Sequence, residues 1–318
     1  MARRRSTRRQ SSHLVLGLII GLIVGAGLTV GVLIAQHRGS TPAPARLPAA
    51  RRTPTPPAPR PVTPRAHLPL PPRRNPEGSR GPAVVPAPPH PVSVGPGRLR
   101  VAIIFDDAGY SLRAAQEVEA IGRPVTISVL PHLPYSTMIA EEAPAHGVQV
   151  ILHLPVEPDN QNLLSFLGEG GIRVAMTDGE IRQAVAGDLA TVPTAVGANN
   201  HMGSLGTADP RVMHAVMEEM KAHHLFFVDS VTSSRTVAAQ VARQIGVPTA
   251  ARAVFLDNED TEEYVRGQFR TLITLAHARG QAIAIGHVGK VTARVLISLL
   301  PEFDEAGIQL VRVSDLVH

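Results

Sequence analysis

The sequence predicts an α/β fold over residues 99–318, a distorted (β/α) barrel of seven or eight parallel strands. From residue 100 onward, short apolar runs alternate with segments of amphipathic, helical spacing. Such repeats over about 215 residues favour parallel strands joined by helices, and their number favours a barrel over an open sheet. The predicted strands are residues 101–105, 125–130, 148–154, 194–198, 225–228, 251–256, 282–285 and 308–313.

Local signals place helix boundaries between these strands. Thr177 followed by Glu180 forms a capping box, in which two side chains accept from backbone N–H groups at the start of a helix. Asp209 before Pro210 is an N-cap followed by proline at the first helical position. Helices that end in a left-handed backbone conformation favour glycine there, and the candidates are Gly122, Gly147, Gly246, Gly280 and Gly307.

A single membrane-spanning helix is predicted ahead of this domain, over residues 14–35. These 22 residues are uncharged and apolar, and at about 1.5 Å per residue they can cross a bilayer. Residues 1–13 contain five arginines, so the positive-inside rule places this basic tail in the cytoplasm and residues 99–318 in the periplasm. A cleaved signal peptide is the alternative, but the apolar run is longer than a typical signal core. The sequence therefore predicts a single-pass protein of the inner membrane.

Residues 36–98 are predicted to be a disordered linker rich in proline, alanine and arginine, because such a composition cannot bury a core. Residues 1–98 hold 15 Lys and Arg against one acidic residue, whereas residues 99–318 hold 16 against 25. The high pI therefore comes from the N-terminal part of the chain. With aromatic residues at 3%, nothing in the folded part favours nucleic-acid binding.

Polar residues follow the predicted strands, at the C-terminal ends where the chemistry of a (β/α) barrel is located. Six strands end in an acid, an amide or an imidazole, and three of these side chains are histidines. A single Asp or Asn at a turn is common, but six strand ends of this kind are hard to explain by turn formation alone. The residues are Asp106, Asp107, His153, Asn199, Asn200, His201, Asp229, Asp257, Asn258 and His287.

The adjacent carboxylates Asp106 and Asp107 indicate metal-assisted hydrolysis. Successive side chains of a strand point in different directions, so one carboxylate can bind a metal while the other acts as base on a water whose pKa the metal lowers. The chain has no cysteine, so the ligands must be His, Asp or Glu, which suit zinc or another divalent ion. The alternatives are a helix N-cap near Ser111 for the aspartates and a hydrogen-bonded core imidazole for His153.

These strand ends resemble the divergent polysaccharide deacetylase family. By that resemblance Asp106 is the base, Asp107 is a metal ligand and His287 is the acid. The resembling segments span nearly all of residues 100–318. They are Ile104-Phe-Asp-Asp107 with Gly109, His153-Leu-Pro-Val-Glu-Pro158, Asn199-Asn-His-Met-Gly-Ser204, Phe227-Val-Asp-Ser230, Phe255-Leu-Asp-Asn258 and Ile285-Gly-His287.

The sequence departs from the family at one ligand position. The wider family of carbohydrate deacetylases takes two imidazole ligands from His-x-x-x-His, whereas this chain has Glu157 four residues after His153. Either His201, after the fourth strand, replaces the missing imidazole, or Glu157 binds the metal directly. We predict Asp107, His153 and His201 as the ligands.

The resemblance implies a metal-dependent hydrolase that removes N- or O-acetyl groups from a cell-envelope polysaccharide, with peptidoglycan as one candidate and zinc as the expected ion. Substrate contacts are predicted for Asn199, Asn200, Glu157 and Asp229; the amides suit an oxyanion or a sugar hydroxyl. One alternative is a catalytically inactive glycan-binding or scaffold module, and another is a metal-dependent amidase acting on peptide cross-links. The metal site discriminates between enzyme and binding module, because only the enzyme needs the ion and the base.

Overall fold

The computed structural model describes residues 99–318, in which nine strands pair in parallel. The predicted basic tail, membrane span and linker (residues 1–98) lie outside the described residues. Within residues 99–318, no helix combines the length and the apolar composition that crossing a membrane requires. The strands are β1 (Leu99–Ala108), β2 (Thr126–Val129), β3 (Gln149–Val156), β4 (Gly197–Met202), β5 (Phe226–Asp229), β6 (Thr249–Ala251), β7 (Val254–Phe255), β8 (Gln281–His287) and β9 (Ile308–Val311).

Each pair of successive strands is joined by at least one helix, except β6 and β7. Such helical crossovers are what parallel pairing requires. The α-helices of the described residues are α1 (Leu112–Glu119), α2 (Ser136–Glu142), α3 (Asp178–Thr191), α4 (Pro210–Ala222), α5 (Ala238–Ile245), α6 (Glu262–Arg279) and α7 (Thr292–Glu305). The 3-10 helices are Ala143–His146, Gln161–Phe166, Gly206–Ala208 and Val313–Leu316.

The sheet curls into a barrel that is open on one side. Its order is β6-β5-β4-β3-β2-β1-β8-β7, with β9 paired to the first part of β1, and in the described residues no pairing joins β6 to β7. The single strand predicted at residues 251–256 is therefore wrong. It is interrupted because the Arg252 N–H donates to Asp229 O on one side of the opening, while the Ala253 N–H donates to Ile283 O on the other.

The predicted helix starts are confirmed. The Thr177 hydroxyl oxygen accepts from the Glu180 N–H, and the Glu180 carboxylate accepts from the Thr177 N–H at 2.8 Å. Asp209 caps α4, with Pro210 at the first helical position. Ser111 itself caps α1 by accepting from the backbone N–H of Ala114, so the alternative role of Asp106 and Asp107 as helix caps does not hold.

The buried apolar residues form two clusters, one on each face of the sheet. On β1, Val101, Ile103 and Phe105 belong to the larger cluster, which also contains the apolar faces of the helices. Ala102 and Ile104 belong to the smaller cluster, which consists of strand residues and the C-terminal 3-10 helix. This alternation, with a period of two, places the smaller cluster inside the curl of the sheet and the larger one outside it.

Candidate functional site

The inside of the curl changes from apolar to polar at the carboxyl ends of the strands. On β1, β3 and β8 a polar residue there occupies the next inward position, two residues after an apolar member of the inner cluster. The strands run parallel and in register, so these positions meet: Asp106 is paired with His287, and His153 with Asn199. The inward steps are Ile104 to Asp106, Ile151 to His153 and Ile285 to His287.

Strand β4 begins later than the predicted segment 194–198, at Gly197. Asn199 and His201 therefore lie within the strand, where the sequence predicted them after it. Their alternate spacing directs both side chains to the inside of the curl, where they are buried.

A break in the regular pairing of β1 brings Asp107 to the same site as Asp106. The register of β1 with β2 shifts between Phe105 and Ala108, and Asp107 has a φ of 63°, the left-handed region that side-chain-bearing residues rarely adopt. In a regular strand the two neighbouring carboxylates would face opposite sides of the sheet. Here Asp106 Oδ2 and Asp107 Oδ1 lie 3.6 and 3.3 Å from the same atom, His153 Nε2. Both carboxylates therefore lie at one centre.

Three side chains place one ligand atom each in a compact triangle. Asp107 Oδ1 lies 3.3 Å from His153 Nε2 and 3.1 Å from His201 Nδ1, and the two imidazole nitrogens are 3.2 Å apart. Ligand atoms at about 2.0–2.1 Å from a tetrahedral zinc ion stand about 3.3 Å from one another. The donor set and its spacing thus fit a divalent cation, and the ligands predicted from the sequence are the ones that the structure brings together.

The Asn199 side chain hydrogen-bonds to two residues of this centre, His153 and Asp106. Its Oδ1 accepts from the Ser128 hydroxyl at 2.5 Å and from His153 Nδ1–H at 2.8 Å, while its Nδ2 donates to Asp106 Oδ1 at 2.9 Å and to Ser230 Oγ at 3.2 Å. Because the proton of His153 is on Nδ1, the lone pair of Nε2 is left for a metal. His153 is therefore held with Nε2 directed at Asp107 and His201, as a metal ligand would be.

The buried charges of the centre shift one another's pKa values. Burial raises the pKa of Asp106, although His153 and His287 oppose it. Burial acts on Asp107 too, but His201 and His153 outweigh it and hold the pKa of Asp107 well below its ordinary range. Burial lowers the pKa of His153, but Asp106 and Asp107 overcome it, so that the pKa is raised. Asp107 is thus ionised, as a metal ligand must be.

His287 faces the cluster from β8, held by Asp257. Its Nδ1–H donates to Asp257 Oδ1 at 2.8 Å, and its backbone N–H donates to Asp257 Oδ2 at 2.7 Å. The other ring nitrogen, Nε2, lies 3.9 Å from Asp107 Oδ2. Burial opposes protonation of His287, yet the bond to Asp257 and the charge of Asp107 raise its pKa. The ring is therefore oriented as a proton donor would be, and its raised pKa favours the protonated form.

Glu157 is placed away from the triangle. Its Oε2 accepts from the Val174 N–H at 2.7 Å, and its own N–H donates to Ile172 O at 2.9 Å. These bonds clamp the two ends of the loop that follows β3. The alternative in which Glu157 binds the metal therefore finds no support in this geometry, because His201 occupies the third corner.

The polar atoms of the other predicted substrate-binding residues are occupied by protein partners. Asn200 donates to Met202 O at 2.7 Å and accepts from the Ser230 N–H at 2.9 Å. Asp229 accepts from the Val231 N–H and from the Thr236 hydroxyl, and burial raises its pKa. Asn199, Asn200 and Asp229 thus position other groups in this structure, and a direct contact of any of them with substrate stays a prediction.

Sequence reasoning missed Arg252, which lies at the opening between β6 and β7. Its Nε donates to Ser230 O at 2.7 Å, one Nη donates to Val231 O at 3.0 Å, and its guanidinium lies 4.9 Å from the ring centre of Phe255. The Phe255 ring in turn meets the His287 ring edge-on at 5.3 Å. No local signal singles out this arginine, because its role depends on where the strand is interrupted.

Comparisons with known proteins identify relatives of the described domain. The family model of the divergent polysaccharide deacetylases matches residues 103–317. An uncharacterised protein of Haemophilus influenzae is 35% identical over 217 residues, which are 68% of this chain and 76% of that protein. The uncharacterised protein YibQ of Escherichia coli is 36% identical over 219 residues, which are 69% of this chain and 67% of that protein.

A solved structure shares the fold. The crystal structure of an uncharacterised protein from Agrobacterium tumefaciens superposes with a TM-score of 0.66 and 23% sequence identity. The match covers 71% of this chain and 92% of that chain. At this identity the likeness shows the fold alone.

Proposed function

Because the chain belongs to the divergent polysaccharide deacetylase family, we propose that it is a metal-dependent hydrolase that removes acetyl groups from a cell-envelope polysaccharide. The triangle formed by Asp107, His153 and His201 carries this proposal, since its spacing suits one divalent cation. These three residues would hold the ion, and zinc suits one carboxylate and two imidazoles.

Asp106 is the general base of the proposed reaction. When bound, a divalent cation supplies Lewis-acid chemistry, polarising a carbonyl oxygen and lowering the pKa of a water. Asp106 Oδ1 is held by Asn199 Nδ2, and Oδ2 faces the cluster, so the carboxylate is oriented to take a proton from the attacking water. Burial raises the pKa of Asp106, which makes it a stronger base than an exposed aspartate.

His287 is the general acid. Water adds to the acetyl carbonyl carbon, and the bond from that carbon to the sugar nitrogen or oxygen breaks. His287 Nε2 gives its proton to the leaving atom, so that the products are acetate and a free amino or hydroxyl group. Asp257 holds the other ring nitrogen at 2.8 Å and so keeps Nε2 directed at the site.

The location belongs to the same proposal. Residues 14–35 anchor the chain in the inner membrane and residues 99–318 work in the periplasm, where peptidoglycan is a candidate substrate. The apolar run and the arginines before it support this topology. A reporter that is active only in the periplasm should work when fused after His318; activity of a cytoplasmic reporter alone at that point would refute the orientation.

The proposal is tested by acetate release from N-acetylated and O-acetylated envelope polysaccharides. Asp106→Asn should keep the bound metal and lose hydrolysis by at least about 100-fold, because geometry is retained and the base is lost. Asp304→Asn, at an exposed ion pair with Arg123, is the control and should act like the wild type. Metal-loaded protein that releases no acetate from any of these polymers would instead support the glycan-binding module, and release of amino acids would support the amidase.

A further inference from the structure

Three of the ten aromatic residues have exposed side chains, and all three follow neighbouring strands at the carboxyl end of the sheet. Tyr110 is 57% exposed after β1, Tyr135 is 37% exposed after β2, and Phe166 is 46% exposed after β3. β1, β2 and β3 are adjacent in the sheet, and they also supply Asp106, Asp107 and His153. The exposed rings are therefore on the same edge as the candidate metal centre.

Direct contacts join the three loops that carry these rings. The Tyr135 N–H donates to Gly109 O at 3.1 Å, immediately before Tyr110. The loop of Tyr135 also contains His132, whose Nε2 lies 2.9 Å from Asp188 Oδ1. Gly170, in the loop of Phe166, packs so closely on Asp188 that a Cβ there would be 1.9 Å from the same oxygen. The loops after β1, β2 and β3 thus form one continuous rim.

The loop of Phe166 is fixed at both ends. Glu157 binds the backbone of Ile172 and Val174, while Leu167, the neighbour of Phe166, is only 1% exposed. Because this loop is already anchored, a ligand that contacts the exposed Phe166 ring does not have to order the loop. Binding therefore avoids that loss of conformational entropy.

The rim after β7 has a different character. After β7, residues 258–263 include four exposed acidic residues, and none of the described residues in that loop is an exposed aromatic. Exposed apolar side chains grouped on one side of a functional centre mark a binding groove more often than scattered ones do. A neutral ligand with apolar faces suits the aromatic rim, whereas the acidic rim repels anionic polymers.

We propose that Tyr110, Tyr135 and Phe166 form a sugar-binding platform that holds pyranose rings next to the acetylated one. A pyranose whose substituents are equatorial exposes a face of C–H groups, and these carry a slight positive charge that suits the negative face of an aromatic ring. The substrate is then a chain of several equatorially linked, uncharged acetamido sugars rather than a single sugar. This inference rests on the proposed function and assigns residues to its substrate binding.

Binding of N-acetylglucosamine oligomers of one to six units, β-1,4-linked, tests the platform. Affinities are measured by calorimetry on the full chain carrying Asp106→Asn, which prevents turnover of the probe. Affinity should rise with oligomer length. Alanine at Tyr110, Tyr135 or Phe166 should weaken binding of the hexamer by about five- to tenfold each, on the scale of one lost ring contact. Binding of the monomer should change far less.

Two controls separate stacking from other effects. Tyr135→Phe keeps the ring and should retain most of the affinity, while Ile297→Ala removes an exposed side chain on α7 that is distant in sequence and should change nothing. Absence of oligomer binding, equal affinity for one and six units, or wild-type affinity in the triple alanine variant would overturn the platform. Length-dependent binding without acetate release from the chain with Asp106 intact would refute the hydrolase and leave the platform standing. Acetate release together with affinity that does not depend on oligomer length would support the hydrolase and refute the platform.

Discussion

Replacing Asp188 by asparagine should stabilise the protein more at alkaline pH than near pH 5. The Asp188 side chain on α3 is 0% exposed, with Oδ1 at 2.9 Å from His132 Nε2. Its Oδ2 is buried and has no hydrogen-bond partner among the described residues. Burial, with a further contribution from the charge of Glu169, raises the pKa of Asp188 from 3.8 to about 8. The native protein therefore keeps this carboxyl protonated at neutral pH.

The sign and the size follow from proton linkage. Between pH 3.8 and about 8, the native state holds a proton that the unfolded state has lost, so the free energy of unfolding falls as pH rises. From pH 5 to pH 8 the fall is about 1.4 kcal/mol per pH unit, or about 4 kcal/mol as a ceiling. Water entry and local rearrangement reduce it, so we expect about 2–4 kcal/mol. Asparagine stays neutral and removes this slope.

The assay is urea unfolding of wild type and Asp188→Asn at several values between pH 5 and pH 9. The difference in unfolding free energy between the two proteins should be smallest at pH 5, should grow by about 2–4 kcal/mol as pH rises to 8, and should level off above pH 8. Asp304→Asn, at a side chain that is 54% exposed, is the control and should give a flat difference. If Asp188→Asn changes stability equally at pH 5 and pH 9, the buried carboxyl is not the neutral group that this reasoning requires.

Two further substitutions test the packing and the support of the site. Gly170→Ala should destabilise by at least about 2 kcal/mol more than Gly168→Ala in thermal melts. Both glycines have a positive φ (82° at Gly170 and 87° at Gly168), but only a Cβ at Gly170 would collide with Asp188. Equal losses would contradict the close packing. Asn199→Ala should weaken zinc binding by about 10–100-fold in competition titrations, because His153 loses the hydrogen-bond partner of its Nδ1. Asn258→Ala is the control and should have no effect. Unchanged zinc affinity in Asn199→Ala would contradict the positioning role of Asn199.

The sequence was sufficient for most of the strands, for the helix starts and for the polar residues that meet at the strand ends. Asp106, His153 and His287 can be found from the sequence because each lies two residues after a buried apolar residue of its strand. Side chains two residues apart on a strand face the same side of the sheet. His201 follows from the same alternation within β4, two residues after Asn199. Local periodicity therefore predicts which side chains share the inside of the curl.

Other features depend on contacts that sequence patterns do not encode. No local sequence pattern predicts the left-handed backbone conformation of Asp107. In a regular strand its side chain would face away from the site, whereas this conformation directs it into the site. Arg252 and Ala253 read as the middle of one strand, but they bond to strands on opposite sides of an opening. Glu157 stands where the His-x-x-x-His motif of the wider family has its second histidine. Its hydrogen bonds to Ile172 and Val174 instead hold together the two ends of the loop after β3.

Metal content of the purified full chain tests the account most directly. After incubation with zinc and removal of excess, elemental analysis should find one zinc ion per wild-type chain. Asp107→Ala, His153→Ala and His201→Ala should each lose it, because each removes one corner of the triangle. His214→Ala, at an exposed histidine on α4, should retain it. A wild-type chain that takes up no ion, or variants that bind as much zinc as the wild type, would contradict the metal centre on which the proposed hydrolase depends.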